Sequence, residues 1–412
     1  MLRHLLIIAC FLYGNIFTQP LNYDLPCDAA ILMNAETGII LYEKDPHALL
    51  YPASTTKVAT ALYVLKNKKE SLSSIITAEQ DAIATLTQEA KRKLNYTCPS
   101  YWLEPDGSHI GLKNEEKMGM VDLLKGMLIA SGNDAANVIA HALGPTVPVF
   151  MDQVNAYLKE IGCRRTSYYN PHGLHHPQHK TTAYDLAVMT KEALKEPLFC
   201  DIVAQKNFLR PKTNKQEAIT LLQTNRLLRP GPLHYSKAIG VKTGYHSLAK
   251  HAFIAAASSE GRTLIAVLLG YKDRKKIFED AAKLFDTAFN QPKVRHAYLK
   301  EGKQTFSKEI ERGTAPLQTF LKEALTLDYY PAEDPGAKCL LYWNVPALPI
   351  LENQVVGELQ LVGQEGIILK KAPLLALNDV QVKWSYKWGV MGLWIAGGGL
   401  CFLALCLFFS RK

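Results

Sequence analysis

The sequence predicts an α/β (α+β) protein with an antiparallel sheet flanked by helices, then a small all-β domain and a C-terminal transmembrane helix. Three observations support this prediction. Apolar runs form one hairpin pattern at 29–42 and another at 252–269, and helix-period segments lie between them. A stretch rich in Val, Leu and Ile, punctuated by Gly and Pro, follows at 325–382. The run 388–409 contains no charged residue.

The length and the N-terminal residues suggest how the chain is divided. At 412 residues it exceeds one typical domain. A basic start, an apolar run at 5–17 and polar sequence from Thr18 are typical of a secretory signal peptide. We predict a signal peptide at 1–19, a main domain at 20–290, a small β-rich domain at 291–383, and a membrane anchor with a short basic tail at 384–412.

The apolar run 388–409 predicts a membrane-spanning helix, because about 20 such residues cross a bilayer. A buried core helix is the alternative, but it would rarely lack every charged residue over this length. Aromatic side chains precede the run and basic side chains follow it: Trp384, Tyr386, Trp388, Arg411 and Lys412. Together with the signal peptide, this predicts a single-pass protein of the inner (cytoplasmic) membrane whose body lies on the periplasmic side.

Charge and cysteine content narrow the possible functions. The net charge of +9 is modest for this length, and no basic stripe with interleaved aromatics indicates nucleic-acid binding. A weak positive field suits acidic polymers or anionic lipid surfaces. Five of the eight cysteines fall in the predicted exported part, and this odd number leaves at least one unpaired or paired between chains. Their spacing matches no metal site: Cys27, Cys98, Cys163, Cys200 and Cys339.

Local patterns place the remaining elements between the hairpins. A helix should begin at Ser54 and run to about Asn67, with Val58, Ala61, Leu62 and Leu65 as its buried side. Further helices are predicted at 78–94, at 120–143 with a break near Gly132, at 182–196 and at 276–289, and a strand at 238–245. Four histidines crowd a turn, and an exposed loop is favoured over a metal site because no carboxylate or cysteine completes a ligand set: His172, His175, His176 and His179.

The stretch around Ser54 is the first candidate for chemistry. Ser54 and Lys57 lie about 60° apart on one helix face, since each residue turns by roughly 100°. A serine at a helix start with an amine one turn away can act as an activated nucleophile without histidine. The alternative is a helix-capping serine and a solvated lysine. A second Ser-x-x-Lys, Ser247 to Lys250, shows that the pattern arises readily by accident.

Two later motifs extend the first. Ser131, Gly132 and Asn133 interrupt an apolar helix, where polar residues are costly unless they are paired, although a simple junction between two capped helices would look the same. Lys242 and Thr243 precede a glycine in a predicted strand, where glycine often permits a close approach by a ligand or another backbone. An ordinary pair of residues on an edge strand is the alternative there.

These three motifs, in this order, resemble those of the D-alanyl-D-alanine carboxypeptidases, the low-molecular-mass penicillin-binding proteins. The resemblance runs from about 29 to 289 and implies a penicillin-binding/β-lactamase-like transpeptidase domain. It rests on five segments: Pro52-Ala53-Ser54-Thr55-Thr56-Lys57, Asp122-Leu123-Leu124, Ser131-Gly132-Asn133-Asp134-Ala135-Ala136, Asn170-Pro171-His172-Gly173-Leu174 and Gly240-Val241-Lys242-Thr243-Gly244.

The resemblance also implies roles and partners. Ser54 is the expected nucleophile, Lys57 its base and Ser131 the relay to the leaving amine. The remaining positions are expected to bind substrate or, through the backbone N–H groups of Ser54 and Tyr245, to form the oxyanion hole: Asn133, Lys242, Thr243, Gly244 and Tyr245. The implied substrate is a peptidoglycan pentapeptide ending in D-Ala-D-Ala, with β-lactams as covalent inhibitors. No cofactor, metal or nucleic acid is expected.

Other functions stay open at this point. The same motifs serve a DD-endopeptidase that cuts cross-links. A class A β-lactamase is less well matched, because no Glu-x-x-Leu-Asn follows Ser131 and Gly132 stands where those enzymes carry Asp. A non-catalytic protein that binds the wall or β-lactams is the third alternative. The chain also departs from the family pattern after Tyr245, where Thr-x-x-Ala-Gly is usual and His246 to Lys250 stand instead.

Overall fold

The computed structural model describes residues 8–9, 21–363 and 366–384. Its contacts divide the chain into two compact units, Gln19–Gln291 and, together with Met1–Thr18, Pro292–Lys412. Most of the predicted signal peptide and all of the predicted anchor except Trp384 lie outside the described residues. None of the helices that the structure describes is long and apolar enough to cross a membrane.

Helices and strands are interspersed along the first unit, whereas almost all described regular elements of the second unit are strands. The helices are α1 (Lys57–Asn67), α2 (Gln88–Lys93), α3 (Met120–Ile129), α4 (Asn133–Leu143), α5 (Val147–Glu160), α6 (Ala183–Ala193), α7 (Pro197–Val203) and α8 (Lys276–Phe289), with short 3-10 helices at Ala53–Thr56, Lys69–Ser73, Asp81–Ile83 and Pro331–Glu333. The strands are β1 (Ile8–Ala9), β2 (Ala29–Asn34), β3 (Ile40–Lys44), β4 (Ile75–Thr77), β5 (Lys117–Gly119), β6 (Asn207–Arg210), β7 (Ile219–Leu222), β8 (Ala238–His246), β9 (Lys250–Ser259), β10 (Arg262–Tyr271), β11 (Val294–Leu299), β12 (Gly302–Lys308), β13 (Leu317–Leu321), β14 (Leu325–Tyr329), β15 (Lys338–Trp343), β16 (Val355–Val362) and β17 (Ile368–Ala376).

A five-stranded antiparallel sheet organises the first unit. Its order is β3-β2-β10-β9-β8, so both predicted hairpins are confirmed and β8 lies at an edge. The middle strands read as continuous apolar runs because both of their faces are covered. Helix α8 packs on one face, where the rings of Phe253 and Phe278 lie 4.9 Å apart. A larger core that includes α1, α3, α4, α5 and α6 covers the other face.

Helix α1 lies inside this larger core. The sequence predicted one buried side, but every residue from Lys57 to Leu65 is buried, so this part of the prediction was incomplete. Helical periodicity cannot distinguish a helix with one apolar face from one enclosed on all sides when its polar residues are also buried. As a result, the lysine in the first turn of α1 lies in the protein interior.

The prediction of one helix at 78–94 was wrong. The chain forms only a 3-10 turn at Asp81–Ile83 and the short helix α2 there. The intervening residues hydrogen-bond with Leu103 instead, whose N–H donates to Ala84 O at 2.9 Å and whose O accepts from Leu86 N at 2.8 Å. Such long-range pairing overrides local helix propensity. The predicted helix at 120–143 is confirmed as α3 and α4, with the break between them.

In the described part of the second unit, the regular structure consists mainly of strands, with a short 3-10 helix at Pro331–Glu333. One sheet has the order β1-β15-β16-β17-β13-β12, and β11 pairs with β14. Two small apolar clusters stabilise it. Strands begin at Val294, well before the region at 325 where the sequence pattern is strong. Within the described residues, four cysteines have free thiols: Cys27, Cys98, Cys163 and Cys200.

Candidate active site

The Ser-x-x-Lys motif lies at the junction of a 3-10 helix and α1. Pro52 precedes the 3-10 helix Ala53–Thr56, which places Ser54 at the surface of a groove and leads directly into α1 at Lys57. Lys57 Nζ lies 2.9 Å from Ser54 Oγ. The lysine is fully buried, whereas the serine is half-buried. The alternative interpretation of a solvated lysine is therefore wrong.

The contacts of Lys57 indicate its protonation state. Besides Ser54, Nζ donates to Asn133 Oδ1 at 2.6 Å and to the backbone O of His172 at 2.8 Å. Both oxygens can only accept, whereas a hydroxyl can also donate. A neutral amine therefore satisfies all three contacts, with two N–H donors for the two carbonyl oxygens and a lone pair for the Ser54 hydroxyl proton.

The electrostatic environment favours the same neutral form. Burial is the main cause that lowers the pKa of Lys57 well below its ordinary value, and the nearby charge of Lys242 lowers it further. The carboxylate of Asp134 opposes this shift more weakly. A neutral amine beside an alcohol is the arrangement that activates a serine nucleophile.

The second and third motifs meet at the other side of the groove. Lys242 Nζ donates to Ser131 Oγ at 2.9 Å and to the backbone O of Thr243 at 2.8 Å. Burial lowers the pKa of Lys242 to about 7. Ser131 has a φ of 66°, an uncommon conformation for a residue with a side chain, and such strain is concentrated at functional sites.

Edge strand β8 lies against the serine. A Cβ on Gly244 would be 2.9 Å from the backbone N of Ser54, so only glycine allows this approach without a shift. Thr243 Oγ1 donates to Thr224 Oγ1 at 2.9 Å. The Tyr245 side chain is 62% exposed and its ring lies 4.5 Å from that of His251, at the groove. All eight residues expected to form the site thus lie around one groove.

The prediction that the histidine-rich segment 170–179 forms an exposed loop was wrong. His172, His175 and His179 are buried, so the loop is not exposed. It packs against the 3-10 helix: Thr56 Oγ1 lies 2.9 Å from His179 Nε2, and a Cβ on Gly173 would fall 1.8 Å from the O of Ala53. Glycine at this point lets the loop bring its carbonyl oxygen to the lysine.

A neutral imidazole stabilises the same loop. The Nδ1 of His172 accepts from Leu174 N at 3.0 Å, so its Nε2 carries the proton and donates to Tyr101 O at 3.0 Å. Burial is the main cause that lowers the pKa of His172 well below its ordinary value. Among the described residues, no three His, Cys, Asp or Glu side chains are placed to hold a metal ion.

The segment 104–112 was not predicted to contribute to the site. Ser108 O accepts from Asn133 N at 2.8 Å. The carboxylate of Asp134 accepts from three consecutive backbone N–H groups, those of Ile110, Gly111 and Leu112, at 3.0, 2.8 and 3.0 Å. The acidic residue after the Ser-Gly-Asn motif was the only sequence signal for this anchoring.

The groove has a volume of about 360 Å³. Besides the predicted residues, it is lined by the turn 106–108 on one wall and, on the sheet side, by further residues that sequence reasoning missed: His251, Ala252, Phe253, Arg274, Ile277 and Phe278. Arg274 is exposed and forms no ion pair within the described part of the chain. The groove lining therefore contains the hydroxyl of Ser54 and the cation of Arg274.

Comparison with known proteins assigns the family. The family model described as D-alanyl-D-alanine carboxypeptidase matches residues 15–273. The chain belongs to this family of serine peptidases. It is 31% identical over 365 residues to the D-alanyl-D-alanine carboxypeptidase DacF of Bacillus subtilis, covering 86% of this chain and 85% of that protein. The resemblance seen in the sequence is thus confirmed.

Solved structures of family members show the same fold. A D-alanyl-D-alanine carboxypeptidase from Mycobacterium tuberculosis matches with a TM-score of 0.56 at 30% identity, covering 66% of this chain and 94% of that one. Penicillin-binding protein 6B from Escherichia coli matches with a TM-score of 0.60 at 25% identity, over 86% and 96% of the two chains. The predicted penicillin-binding fold, an antiparallel sheet with flanking helices, is confirmed.

The second Ser-x-x-Lys motif lies away from the groove. Ser247 is exposed, and Lys250 Nζ forms an ion pair with Asp28 at 2.7 Å. Neither residue lines the groove. Of the two Ser-x-x-Lys motifs, the one at Ser54 is hydrogen-bonded to the Ser-Gly-Asn motif, through Lys57 and Asn133. The one at Ser247 lies outside the groove.

Proposed function

We propose that this carboxypeptidase family member removes the terminal D-alanine from peptidoglycan stem peptides that end in D-Ala-D-Ala, through an acyl-enzyme on Ser54. The observation that supports it most is the buried Lys57 amine, 2.9 Å from the Ser54 hydroxyl and bound otherwise to two carbonyl oxygens. The substrate class follows from the family and from the names of its curated relatives.

Acylation begins with proton transfer from Ser54 Oγ to the neutral amine of Lys57. The oxygen attacks the carbonyl carbon of the penultimate D-alanine, and the negative charge that develops on the carbonyl oxygen is stabilised by the N–H groups of Ser54 and Tyr245. The Ser54 N lies against β8, where Tyr245 occupies an unpaired edge. Ser131 gives its proton to the leaving amine and regains one from Lys242, 2.9 Å away. Before deacylation, Lys57 releases the proton that it took from Ser54 to solvent and Lys242 takes one from solvent, so that Lys57 is neutral again.

Deacylation reverses these roles with water as the nucleophile. Lys57 takes a proton from the water while the hydroxide attacks the ester carbonyl. The ester C–O bond then breaks, and Ser54 Oγ recovers a proton from Lys57. The products are the shortened peptide and free D-alanine, and the enzyme returns to its starting state.

Substrate orientation follows from the charges of the groove. Lys242 and Thr243 suit the terminal carboxylate, and exposed Arg274 is a further cation in the groove lining. Asn133 can hold the peptide amide beside the nucleophile, and Gly244 allows the peptide to lie along β8. A β-lactam would acylate Ser54 in the same way, because its strained amide takes the place of the scissile bond.

We further propose that the protein acts outside the cytoplasm, on the periplasmic face of the inner membrane. The basic and apolar N-terminal residues support export, and the uncharged run 388–409 supports a single-pass anchor. Residues 20–290 would then form the catalytic domain, and 291–383 a spacer between it and the anchor. No basic stripe supports a nucleic-acid partner.

A direct assay tests the proposed function. The full-length chain is incubated with a pentapeptide ending in D-Ala-D-Ala, and released D-alanine is measured. Release is the expected result, since the groove pairs an activated serine with cations for the terminal carboxylate. Folded protein that releases none would contradict the proposal. Release from cross-linked dimers only would indicate an endopeptidase, and rapid hydrolysis of nitrocefin a β-lactamase.

The pKa of Lys242 gives a second prediction. Its charged form suits the substrate carboxylate, and burial lowers its pKa to about 7. The charge is present below this pH and is lost as the pH rises through it. We expect kcat/KM, which reports on the free enzyme, to fall above about pH 7. The pH profile of the Lys242→Arg variant checks the assignment, because arginine stays charged. An alkaline fall at the same pH in that variant would assign it to another group.

A further inference from the structure

One wall of the groove carries a carboxylate that the proposed reaction does not use. Asp106 lines the groove with Gly107 and Ser108, and its side chain is exposed. Across the described residues, no cation lies within ion-pair distance of it and no group hydrogen-bonds to its carboxylate. An unpaired negative charge at a groove that otherwise contains cations calls for a functional explanation.

The backbone presents this carboxylate from a tight turn. Gly107 N donates to Glu104 O at 2.9 Å, with proline, aspartate and glycine at the second, third and fourth positions, an order typical of a β-turn. Two side chains outside the turn contact its first residue. Lys91 forms an ion pair with Glu104 at 3.4 Å, and His109 Nε2 lies 2.8 Å from Glu104 O. Lys91 offsets the negative charge of Glu104. The negative charge of Asp106, the other carboxylate of the turn, is not offset in this way.

The turn adjoins the residues proposed to hold the substrate amide. A Cβ on Gly107 would lie 2.9 Å from Asn133 Nδ2, and Asn133 contacts Lys57. Arg274 also lines the groove, near His251, whose pKa is lowered mainly by burial and then by the charge of Arg274. The groove lining therefore carries a negative charge at the turn and a positive charge at Arg274.

The proposed substrate has matching charges. Its C-terminal carboxylate is negative, and its fourth residue acylates Ser54. Where the neighbouring third residue has a side chain that ends in a primary amine, that side chain is positive. We propose that Asp106 is an ammonium subsite for this side chain, which favours stems with a free amine over stems whose amine is already acylated. This inference rests on the proposed function and adds a substrate preference to it.

Three pentapeptides test the subsite. They share the D-Ala-D-Ala end and carry lysine, Nε-acetyl-lysine or norleucine at the third position. With the full-length chain at low ionic strength, we expect kcat/KM to be about fivefold higher for lysine than for the neutral peptides, the size of an exposed ion pair. At 1 M salt the preference should largely vanish, since the Debye length is then about 3 Å.

Variants at the turn assign the preference to one carboxylate. Asp106→Asn should bring the ratio of lysine to acetyl-lysine rates to about one, and Asp106→Lys should bring it below one, since like charges repel. Asp106→Glu should restore a preference. The matched control is Asp201→Asn, which removes an exposed carboxylate of α7 that does not line the groove, and it should keep the wild-type ratio.

The outcomes separate this inference from the proposed function. Equal rates for the three peptides in the wild-type chain, or a preference that persists in Asp106→Asn, would overturn the ammonium subsite and leave the carboxypeptidase intact. Failure of the wild-type chain to release D-alanine from any of them would instead overturn the proposed function, and the subsite with it.

Discussion

Replacing Ser54 by alanine should lower D-alanine release by at least about 10⁴-fold, because no other group can form the acyl-enzyme. The substitution removes one half-buried hydroxyl and leaves the contacts of Lys57 with Asn133 Oδ1 and His172 O in place. We therefore expect the free energy of unfolding to change by less than about 0.5 kcal/mol. Release from the pentapeptide and covalent labelling by a fluorescent penicillin are the two measurements, and both should be lost together.

The chain offers its own control for this experiment. Ser247 begins the second Ser-x-x-Lys motif but is exposed and lies outside the groove. Ser247→Ala should keep both activity and labelling. Penicillin labelling that continued in Ser54→Ala would show that the nucleophile is another residue. Loss of labelling in Ser247→Ala would indicate that Ser247, and not Ser54, is the nucleophile.

The sequence predicted the placement of the candidate site residues where the signal was local or where glycine was required. The spacing of Ser54 and Lys57 within one helical turn is a local property, and so is the strand glycine at 244 that permits a close approach. The structure gives both a physical cause, since a Cβ at 244 would meet Ser54 N at 2.9 Å. The hairpins of the five-stranded sheet could also be predicted from the sequence, because their strands are strongly apolar.

Long-range packing was not accessible from the sequence. The histidine-rich loop appeared polar and was assigned to the surface, yet His172 and His179 are buried beside Lys57 and Thr56. The four imidazoles of 172–179 all have lowered pKa values, with burial as the main cause. Such histidines behave as neutral hydrogen-bonding groups. A sequence analysis that counts them as polar therefore assigns the segment to the surface, although it is buried.

The departure from the family pattern after Tyr245 has a structural counterpart. Lys250 stands where the resemblance leads one to expect glycine, and its φ of 57° is in the left-handed region that glycine adopts at little cost. The lysine here therefore occupies a backbone conformation that glycine would adopt at lower cost. The ion pair of Lys250 with Asp28, at 2.7 Å, ties this strained position to the start of β2. The sequence showed the departure from the family pattern but not the left-handed conformation of Lys250 or its ion pair.

Replacing Lys57 by methionine should lower both acylation and peptide turnover by about 10²–10⁴-fold, the usual contribution of a general base. The thioether keeps the unbranched shape but cannot take the proton of Ser54. It also leaves Asn133 Oδ1 and His172 O without the donor they have now, at 2.6 and 2.8 Å. An unsatisfied buried acceptor costs about 1–3 kcal/mol, so the unfolding temperature should fall as well. Single-turnover labelling by penicillin, measured alongside thermal unfolding, separates the two effects.

A second variant keeps the two effects apart if the methionine chain is too unstable. Lys57→Arg retains N–H donors for both carbonyl oxygens, but a guanidinium stays protonated and cannot act as a base. If Lys57 acts as the base, a folded arginine variant is as slow as the methionine variant. If the lysine only positions Asn133 and the loop at His172, the arginine variant instead regains activity to within about tenfold of wild type, and the base must be sought elsewhere. The buried, doubly donating amine beside a hydroxyl makes the first result the expected one.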